Sequence, residues 1–556
     1  MDFKRIARVR PQMARVHRAR PVWAVLAVVI AFPLDAADTK PKVTPAPPGA
    51  KSAKESPVKV APAKPAPPAL PTLPKPKSFD KMAVLAQFRD EMPTHKAALV
   101  AGIDFSVQEL DRMLLSQLGS RAKDVSPLVS DERFIRRVSL DTTGKLPGVA
   151  VVTEFVADQN SRKRAKLIDR LLDSPDFARN WARYWRNVIL HNSEVAANKI
   201  SPKALEDWFA AELQKDVGWD LITANLIAAD GKKMEFGPDN FIIAEENKPE
   251  RLAAETARIF MGINIQCAEC HNHPFDKWKR EQFHELAAFF APGKYYMPNL
   301  KQPDQKTEMQ PRFLLGEKPR FKLDGDQKRV AVAAYLIYNP QNYWFARAFV
   351  NRVWHELFGD AFYAVDSLGP DNEVQYKLLV NRLAAVFRYK DFKPKWLFRT
   401  LLNSQAYQRE IRNPTSETDR FASVRPTRLQ GLQVAEAIDH ALGVTKAEDQ
   451  IRRTFSYDPS LPQQDVDGSI QQALLMMNEP NVQRQIHQGS LTKRLLGIKD
   501  DQELTKQSYL ALLARQPTEK ELARSMTYLK KTSPRNEAVE DLVWTLVNSA
   551  EFVIKR

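Results

Sequence analysis

The sequence contains no run of about eighteen apolar residues, which excludes a polytopic membrane protein. It also lacks a glycine-rich phosphate loop, a serine nucleophile elbow and paired metal-binding carboxylates, so nothing in it indicates a nucleotide enzyme or a hydrolase. Cysteine is scarce, with two residues in 556. With 44% hydrophobic and 27% charged residues, the composition is that of a soluble globular protein, and fibrous or wholly disordered classes are excluded.

The excess of positive charge is concentrated at the amino-terminal end. The chain has a formal net charge of +16, to which residues 1–36 contribute +5 and residues 37–78 contribute +6. The remaining 478 residues carry only +5. Because this excess does not form a basic stripe interleaved with aromatic residues, it does not favour binding of nucleic acid.

Residues 1–36 have the layout of a secretory signal peptide. Seven basic side chains precede an apolar run of thirteen residues, Val22–Leu34, and small residues follow at Ala36. This run contains Pro33 and is short for a helix that spans a bilayer. We expect export to the periplasm with cleavage near Ala36, whereas an uncleaved segment would tether the protein to a membrane surface.

Residues 37–78 are predicted to be a disordered linker. Between Lys40 and Lys77 the sequence has twelve prolines and no aromatic residue, so it cannot bury enough apolar surface to form a core. Proline favours the extended polyproline conformation, and the like charges of the lysines repel each other. The linker should therefore act as a semi-rigid spacer.

Beyond Phe79 the pattern predicts a mainly α-helical fold. Apolar residues recur three and four positions apart, with proline or glycine at the ends of the periodic segments, and strand-like alternation is scarce. One clear helix begins at Pro249 and ends at Gly262. Trp181 and Trp185, four residues apart, are predicted to pack in the core.

Two helical domains are expected in this part of the chain. The first covers residues 79–291 and the second residues 328–556. The connector between them, residues 292–327, is rich in proline, lysine and glutamine and is expected to be irregular.

The two cysteines belong to a Cys-x-x-Cys-His motif formed by Cys267, Cys270 and His271, in IQCAECHNHPFDKW. This is the attachment pattern of c-type haem: the thiols form thioethers to the two vinyl groups of one porphyrin, and the next residue gives an imidazole to the iron. Covalent attachment occurs after export, which agrees with the predicted signal peptide.

Three other interpretations of the motif stay open. A thioredoxin-like dithiol normally lies between a strand and a helix, and the surrounding sequence does not offer that setting. A zinc site has His273 as an additional nearby ligand, but a second ligand pair is missing. A structural disulfide across so short a loop would add little stability.

Most of the folded chain resembles a known pair of domains. Residues 105–290 resemble the planctomycete cytochrome-type domain of unknown function, in DERFIRRVSLDTTGKLP, FARNWARYW, ETARIFMGINIQCAECHNHPFDKW and FHELAAFF. Residues 328–552 are similar to its companion planctomycete-specific domain, in NPQNYWFARAFVNRVWHELFG, KWLFRTLLNSQAYQ, QALLMMNEP and WTLVNSAEF. The resemblance implies an exported protein with a c-type haem, with Cys267 and Cys270 as thioether donors and His271 as the proximal ligand.

The same resemblance covers His273, which matches the second histidine of a His-x-His-Pro segment. We expect it to hydrogen-bond a haem propionate or to pack within its own loop. Two places depart from the family pattern: His284 stands where the family tends to have an aromatic residue, and Val374-Gln375-Tyr376 replace a Ser-His-Pro-like step.

The sixth ligand of the haem iron would decide the chemistry. Methionine or histidine there makes a low-spin electron carrier, whereas an open position permits reactions of small molecules. Met297, in KYYMPNL, is the first candidate, and the others are His284, His191 and His355.

The leading hypothesis is therefore a periplasmic c-type haem protein that passes single electrons between a partner oxidoreductase and a respiratory carrier, with the second domain serving in docking. An alternative is a haem- or metal-dependent enzyme acting on a small or carbohydrate-derived substrate, for which His273, Asp276 and Lys277 would supply acid and base groups. The third hypothesis is a zinc-stabilised binding or scaffold protein.

Overall fold

The computed structural model describes Leu85, Ala86 and residues 105–555, with gaps inside the latter range. The predicted signal peptide and the predicted linker both lie outside the described residues. All described residues belong to one compact unit. The gaps between residues 105 and 555 are 192, 194, 197, 303, 320–322, 367–372, 413–419, 445–447 and 463–465.

The described part is mainly α-helical, which confirms the predicted fold class. Among these residues no helix combines the length and the apolar character needed to cross a bilayer. The helices, in chain order, are α1 Val107–Leu118, α2 Asp131–Thr143, α3 Val149–Ala157, α4 Lys163–Asp173, α5 Pro175–Leu190, α6 Pro202–Gln214, α7 Trp219–Ile227, α8 Asp239–Ala244, α9 Pro249–Met261, α10 Arg280–Ala287, α11 Gly325–Tyr338, α12 Trp344–Phe358, α13 Lys377–Tyr389, α14 Pro394–Asn403, α15 Gly431–Leu442, α16 Glu448–Phe455, α17 Ile470–Asn478, α18 Pro480–Gln488, α19 Ser490–Leu496, α20 Asp501–Leu513, α21 Glu519–Lys531 and α22 Arg535–Val547.

The helix α9 shows how the local sequence sets these boundaries. It begins at Pro249, whose fixed φ suits the first helical position, and it ends at Gly262, which has a φ of 68°. Leu252 and Phe260 on its inner side are 1% and 0% exposed. The predicted helix is confirmed, and its end determines where the following cysteines lie.

Strands are few and short in the described part of the chain. An antiparallel hairpin, β1 Tyr295–Pro298 and β2 Lys306–Met309, lies in the segment that the sequence predicts to be irregular. Its turn is stabilised by Asn299, whose side-chain oxygen accepts hydrogen bonds from the next backbone amides. A second pair joins β3 Thr427–Arg428 to β4 Ile554–Lys555.

One large hydrophobic cluster includes side chains from both predicted domains. Trp181 and Trp185 are buried in it, as predicted, at 4% and 1% exposed. The Trp185 ring lies 4.2 Å from that of Trp219 and 5.6 Å from that of Phe349 on α12, measured between ring centroids. The two parts of the sequence therefore share one core across the predicted connector.

A second hydrophobic cluster is built mainly from the helices after β3 and reaches Leu140 on α2. Between the clusters lies a buried polar network. Asp141 accepts a 2.7 Å hydrogen bond from the hydroxyl of Tyr407 and forms a 3.1 Å ion pair with Lys555 of β4. Asp141 and Lys555 are 3% and 6% exposed. The last strand is thus joined electrostatically to α2.

We predict that Lys555→Ala destabilises the protein by roughly 3–5 kcal/mol, because it leaves the carboxylate of Asp141 buried without its cation. Chemical unfolding followed by circular dichroism measures this loss. The matched control is Lys530→Ala, which removes an exposed lysine and should change the free energy of unfolding by less than about 0.5 kcal/mol. Equal effects of the two substitutions would contradict the structure.

Glu356 lies in the same network, and burial raises the pKa of its carboxyl to about 7. Because this pKa in the folded state lies above the unfolded value, the carboxyl favours folding at low pH, and this contribution is lost as the pH rises through about 7. The free energy of unfolding of the wild-type protein should fall by up to roughly 3 kcal/mol between about pH 5 and about pH 8 because of this carboxyl. We predict that Glu356→Gln removes this fall. Denaturant titrations at the two pH values test this, with the exposed Glu235→Gln as control.

Candidate functional site at the CxxCH turn

The CxxCH motif lies on a short 3₁₀ turn, Gln266–Glu269, which follows α9. Gly262 ends the helix in the left-handed conformation and lets the chain change direction. Ile265 and Ala268 are 1% and 0% exposed, so they anchor the turn in the core. Gln266 and Cys267 between these anchors, and Cys270 and His271 after them, are exposed.

Both cysteines are exposed free thiols. Cys267 lies within the turn, and Cys270 is the residue at its C-terminal end. Side chains three residues apart eclipse one another in a 3₁₀ helix, so we expect the two thiols, one within the turn and one just after it, to point to the same side. This is the arrangement that two covalent links to one planar group require.

His271 is also exposed, and its ring orientation is fixed by a local hydrogen bond. Its Nδ1 lies 2.8 Å from the carbonyl oxygen of Asn272. Because a carbonyl only accepts, Nδ1 carries the hydrogen, and in the neutral imidazole Nε2 is then the nitrogen with the free lone pair. This tautomer is the one that binds metal in proteins, where the second ring nitrogen donates to a carbonyl or carboxylate.

His273 lies inside the loop that follows. It is 6% exposed, and its Nδ1 accepts a 3.3 Å hydrogen bond from the backbone amide of Phe275. Its own backbone amide donates to the carbonyl of Trp278 at 2.8 Å, which closes the loop. The structure thus holds His273 within its own loop, and its contact with a haem propionate stays a prediction.

The loop is attached to the second helical region by aromatic packing. Trp278 and Trp344, which begins α12, have ring centroids 5.8 Å apart in an edge-to-face arrangement. The ammonium of Lys277 lies 5.2 Å from the centroid of each ring, within the range of a cation–π interaction. Residues more than sixty positions apart in sequence thus fix the loop after the motif.

Arg280 connects the turn to the β1–β2 hairpin. Its Nε donates to the carbonyl of Glu269 at 3.1 Å, and its Nη2 donates to the carbonyl of Pro298 at 2.6 Å. Met297, the residue before Pro298, is half-buried in β1. The strand that carries the predicted sixth ligand therefore lies beside the motif turn.

The three histidines considered as alternative ligands are all engaged elsewhere. Both ring nitrogens of His284 lie within hydrogen-bond distance of protein oxygens, at 2.8 and 3.0 Å. Nε2 of His191 lies 3.5 Å from Asp458, and Nε2 of His355 lies 3.2 Å from the carbonyl of Leu461. Burial also lowers the pKa of His355 to about 4. Met297 is itself half-buried against the large hydrophobic cluster, and its assignment as a ligand stays a prediction.

Sequence reasoning missed Glu250 and Tyr295, which stand next to the turn. The hydroxyl of Tyr295 donates to Glu250 at 2.8 Å and also contacts His284. Burial raises the pKa of Glu269, and the nearby Glu250 raises it further. No spacing signal could have revealed this group, because its members come from α9, the motif turn, α10 and β1.

The alternative interpretations of the motif stay open. Within the described residues, no three or more side chains of histidine, cysteine, aspartate or glutamate are grouped so that they could hold a metal ion. The proposed acid–base residues are engaged locally: Asp276 accepts from the amide of Lys277, and His273 is held in its loop.

Two family models match the chain. Residues 109–295 match PSCyt2, described as a protein of unknown function (DUF1549), and residues 328–465 match PSD1, described as a protein of unknown function (DUF1553). This supports the paired planctomycete-type domains recognised from the sequence. No curated protein and no solved structure matches the chain.

We predict that a thiol-alkylating reagent labels both cysteines of the folded, haem-free protein, because both are exposed and lie beyond the buried anchors Ile265 and Ala268. Mass spectrometry after labelling without denaturant should show two adducts per chain, as in denatured protein. Labelling that appears only after unfolding would contradict the orientation of the turn.

Proposed function

We propose that this chain is an exported c-type haem protein that transfers single electrons with a partner oxidoreductase. The observation that carries the proposal is the CxxCH turn itself. Its two thiols, Cys267 and Cys270, are exposed, and the next residue, His271, is also exposed, with Nδ1 held by the carbonyl of Asn272. A haem bound there supplies an iron centre that changes its charge by one electron.

Each residue of the motif would have its own role in binding a haem. The thiols of Cys267 and Cys270 would hold the porphyrin covalently, and Nε2 of His271 would bind the iron. The carbonyl of Asn272 keeps the imidazole in the required tautomer, a function that hydrogen-bonding partners of metal-bound histidines commonly serve. A haem needs one imidazole from this motif, whereas a zinc site needs three or four protein ligands. The donor set of the turn therefore fits a haem better than a zinc ion.

An exposed apolar side chain in the loop after the motif offers contact surface for a porphyrin: Phe275 is 75% exposed. Burying such area against an apolar ring would contribute roughly 25 cal/mol for each Å².

Electron transfer is favoured over substrate chemistry by the position of β1. Arg280 holds this strand against the motif turn, and the strand carries Met297. The thioether of Met297 would serve as a second protein ligand of a bound haem, which would then act as an electron carrier and not on a substrate.

The proposal also includes export of the protein and a redox partner. The basic amino-terminal segment and the apolar run Val22–Leu34 support delivery to the periplasm, where haem would be attached. A protein of this kind needs a second redox protein as donor or acceptor, and the sequence after the linker gives no sign of nucleic-acid binding.

The test is a pyridine haemochrome spectrum of the denatured full chain, produced with export and haem-attachment machinery. We predict a c-type spectrum in the wild-type protein and its loss in Cys267→Ser/Cys270→Ser. His271→Ala should retain covalent haem, but its native, haem-loaded form should lose the low-spin absorption spectrum, while His440→Ala, which removes an exposed histidine elsewhere, should leave the native spectrum unchanged.

Two results would contradict the proposal. A colourless protein with stoichiometric zinc would support a scaffold protein instead. Covalent haem with a high-spin spectrum that Met297→Leu does not alter would show an open axial position and favour the enzyme hypothesis.

A further inference from the structure

The amino-terminal end of α12 lies beside the loop that follows the CxxCH motif, residues 271–279, called the motif loop below. Every residue of α12 is buried, whereas Tyr343, which precedes the helix, is 41% exposed. The rings of Tyr343 and Trp344 have centroids 4.9 Å apart, and Trp344 packs edge to face on Trp278 of the motif loop. A helix embedded in the core thus holds one exposed aromatic ring next to the motif loop.

Two cationic side chains lie close to this ring. The guanidinium of Arg347, which is 4% exposed, lies 4.4 Å from the centroid of the Tyr343 ring. The ammonium of Lys277, an exposed residue of the motif loop, lies 5.2 Å from the centroid of the Trp344 ring. Lys277 and Tyr343, together called the Tyr343 surface below, therefore expose a cation and an aromatic ring around one indole.

The wider surroundings of the Tyr343 surface are also positively charged. Arg388 on α13 donates a 2.8 Å hydrogen bond to the backbone carbonyl of Asn342, the residue before Tyr343, and Lys279 at the end of the motif loop is exposed. The carboxylate of the motif loop, Asp276, is half-buried and accepts from a neighbouring backbone amide. The chain beyond the linker carries a net charge of +5, and the linker carries a further +6. Long-range attraction therefore favours a partner of negative charge.

The Tyr343 surface has the composition and the rigidity of a protein interface. Tyrosine is enriched at interfaces because it combines a large apolar ring with a polar hydroxyl. Trp344 and Arg347 hold the Tyr343 ring in place, so little side-chain freedom is left to lose when a partner covers it. Electron-transfer encounters bury less area than stable complexes, so a few exposed side chains beside the motif suffice.

The motif loop connects this surface directly to the proposed iron ligand. The backbone amide of His273 donates to the carbonyl of Trp278 at 2.8 Å, which closes the loop, and His273 also accepts from the amide of Phe275. Only seven positions of this closed loop separate His271 from Trp278, on which Trp344 packs. A protein docked on the Tyr343 surface would therefore stand next to the motif.

We propose that the Tyr343 surface is the docking site for a redox partner protein that presents carboxylates. This inference rests on the proposed function and adds the chemistry of the partner and the place where it binds. Carboxylates of the partner would pair with the ammonium of Lys277, while an apolar part of its surface would cover the ring of Tyr343. One electron then passes between the reduced partner and ferric haem, or back from ferrous haem, and no bond forms between the proteins.

The first test uses an acidic flavodoxin in its hydroquinone form as the probe partner and the haem-loaded full chain as the acceptor. The flavin gives up one electron and becomes the semiquinone, while ferric haem becomes ferrous. Stopped-flow absorbance measures the second-order rate constant, which we expect to fall as the ionic strength rises from about 20 mM to about 500 mM. Lys277→Gln should lower the rate constant several-fold at the low ionic strength only, whereas Tyr343→Ala should lower it several-fold at both.

The matched controls are Lys530→Gln and Ile470→Ala. They remove an exposed cation and an exposed apolar side chain from helices of the second hydrophobic cluster, and both should leave the rate constant at the wild-type value. Thermal unfolding shows that each variant is folded. Equal rate constants in the wild type, Lys277→Gln and Tyr343→Ala would overturn the docking site, while the haem spectrum of the same samples would leave the haem assignment intact.

The second test needs no haem. Nitrogen-15 NMR of the tryptophan-labelled, haem-free full chain follows the indole signals of Trp278 and Trp344, which Trp278→Phe and Trp344→Phe assign. We expect the acidic flavodoxin to shift both signals at low ionic strength in the wild type but not in Tyr343→Ala, and basic lysozyme to shift neither.

Two results of the NMR titration would overturn the docking site: signals that do not move in the wild-type protein, or equal shifts in Tyr343→Ala. Shifts confined to the wild type, in a chain that proves unable to bind haem, would instead refute the proposed electron transfer and leave the docking site for an acidic protein standing.

Discussion

The candidate site depends on one packing constraint: Ile265 and Ala268 are buried on either side of Cys267, while the thiols and the imidazole of the motif are exposed. Ile265 and Ala268 are anchored in the core, so the thiols and the imidazole between and after them must face outward. The end of α9 sets the start of this turn, because Gly262 permits the left-handed conformation that changes the direction of the chain. The chemistry of the motif therefore follows from a helix boundary and two buried side chains.

The second helical region contributes to the same site without supplying a residue of the motif. Trp344 packs on Trp278 and so holds the loop after His271. Near the carboxyl-terminal end of the chain, Lys555 forms an ion pair with Asp141 on α2. Such contacts give a physical reason for two domains to occur together, since each completes the packing of the other.

Much of the fold could be predicted because its signals are local. The helix from Pro249, its end at Gly262 and the burial of Trp181 and Trp185 all follow from residue spacing and from the backbone preferences of proline and glycine. The β1–β2 hairpin was not predicted, since its strands are only four residues long and lie in a segment rich in proline, lysine and glutamine. Short strands leave too few alternating positions to be recognised.

By itself the sequence determined the helical class, the CxxCH motif and the residues that would hold a haem, because each of these depends on neighbours along the chain. Only the tertiary structure decided which side chains surround the motif. Glu250, Tyr295 and His284 meet there from different elements, and Arg280 brings the strand of Met297 alongside. Contacts of this kind depend on how helices pack in space, and no local pattern of residues encodes that packing.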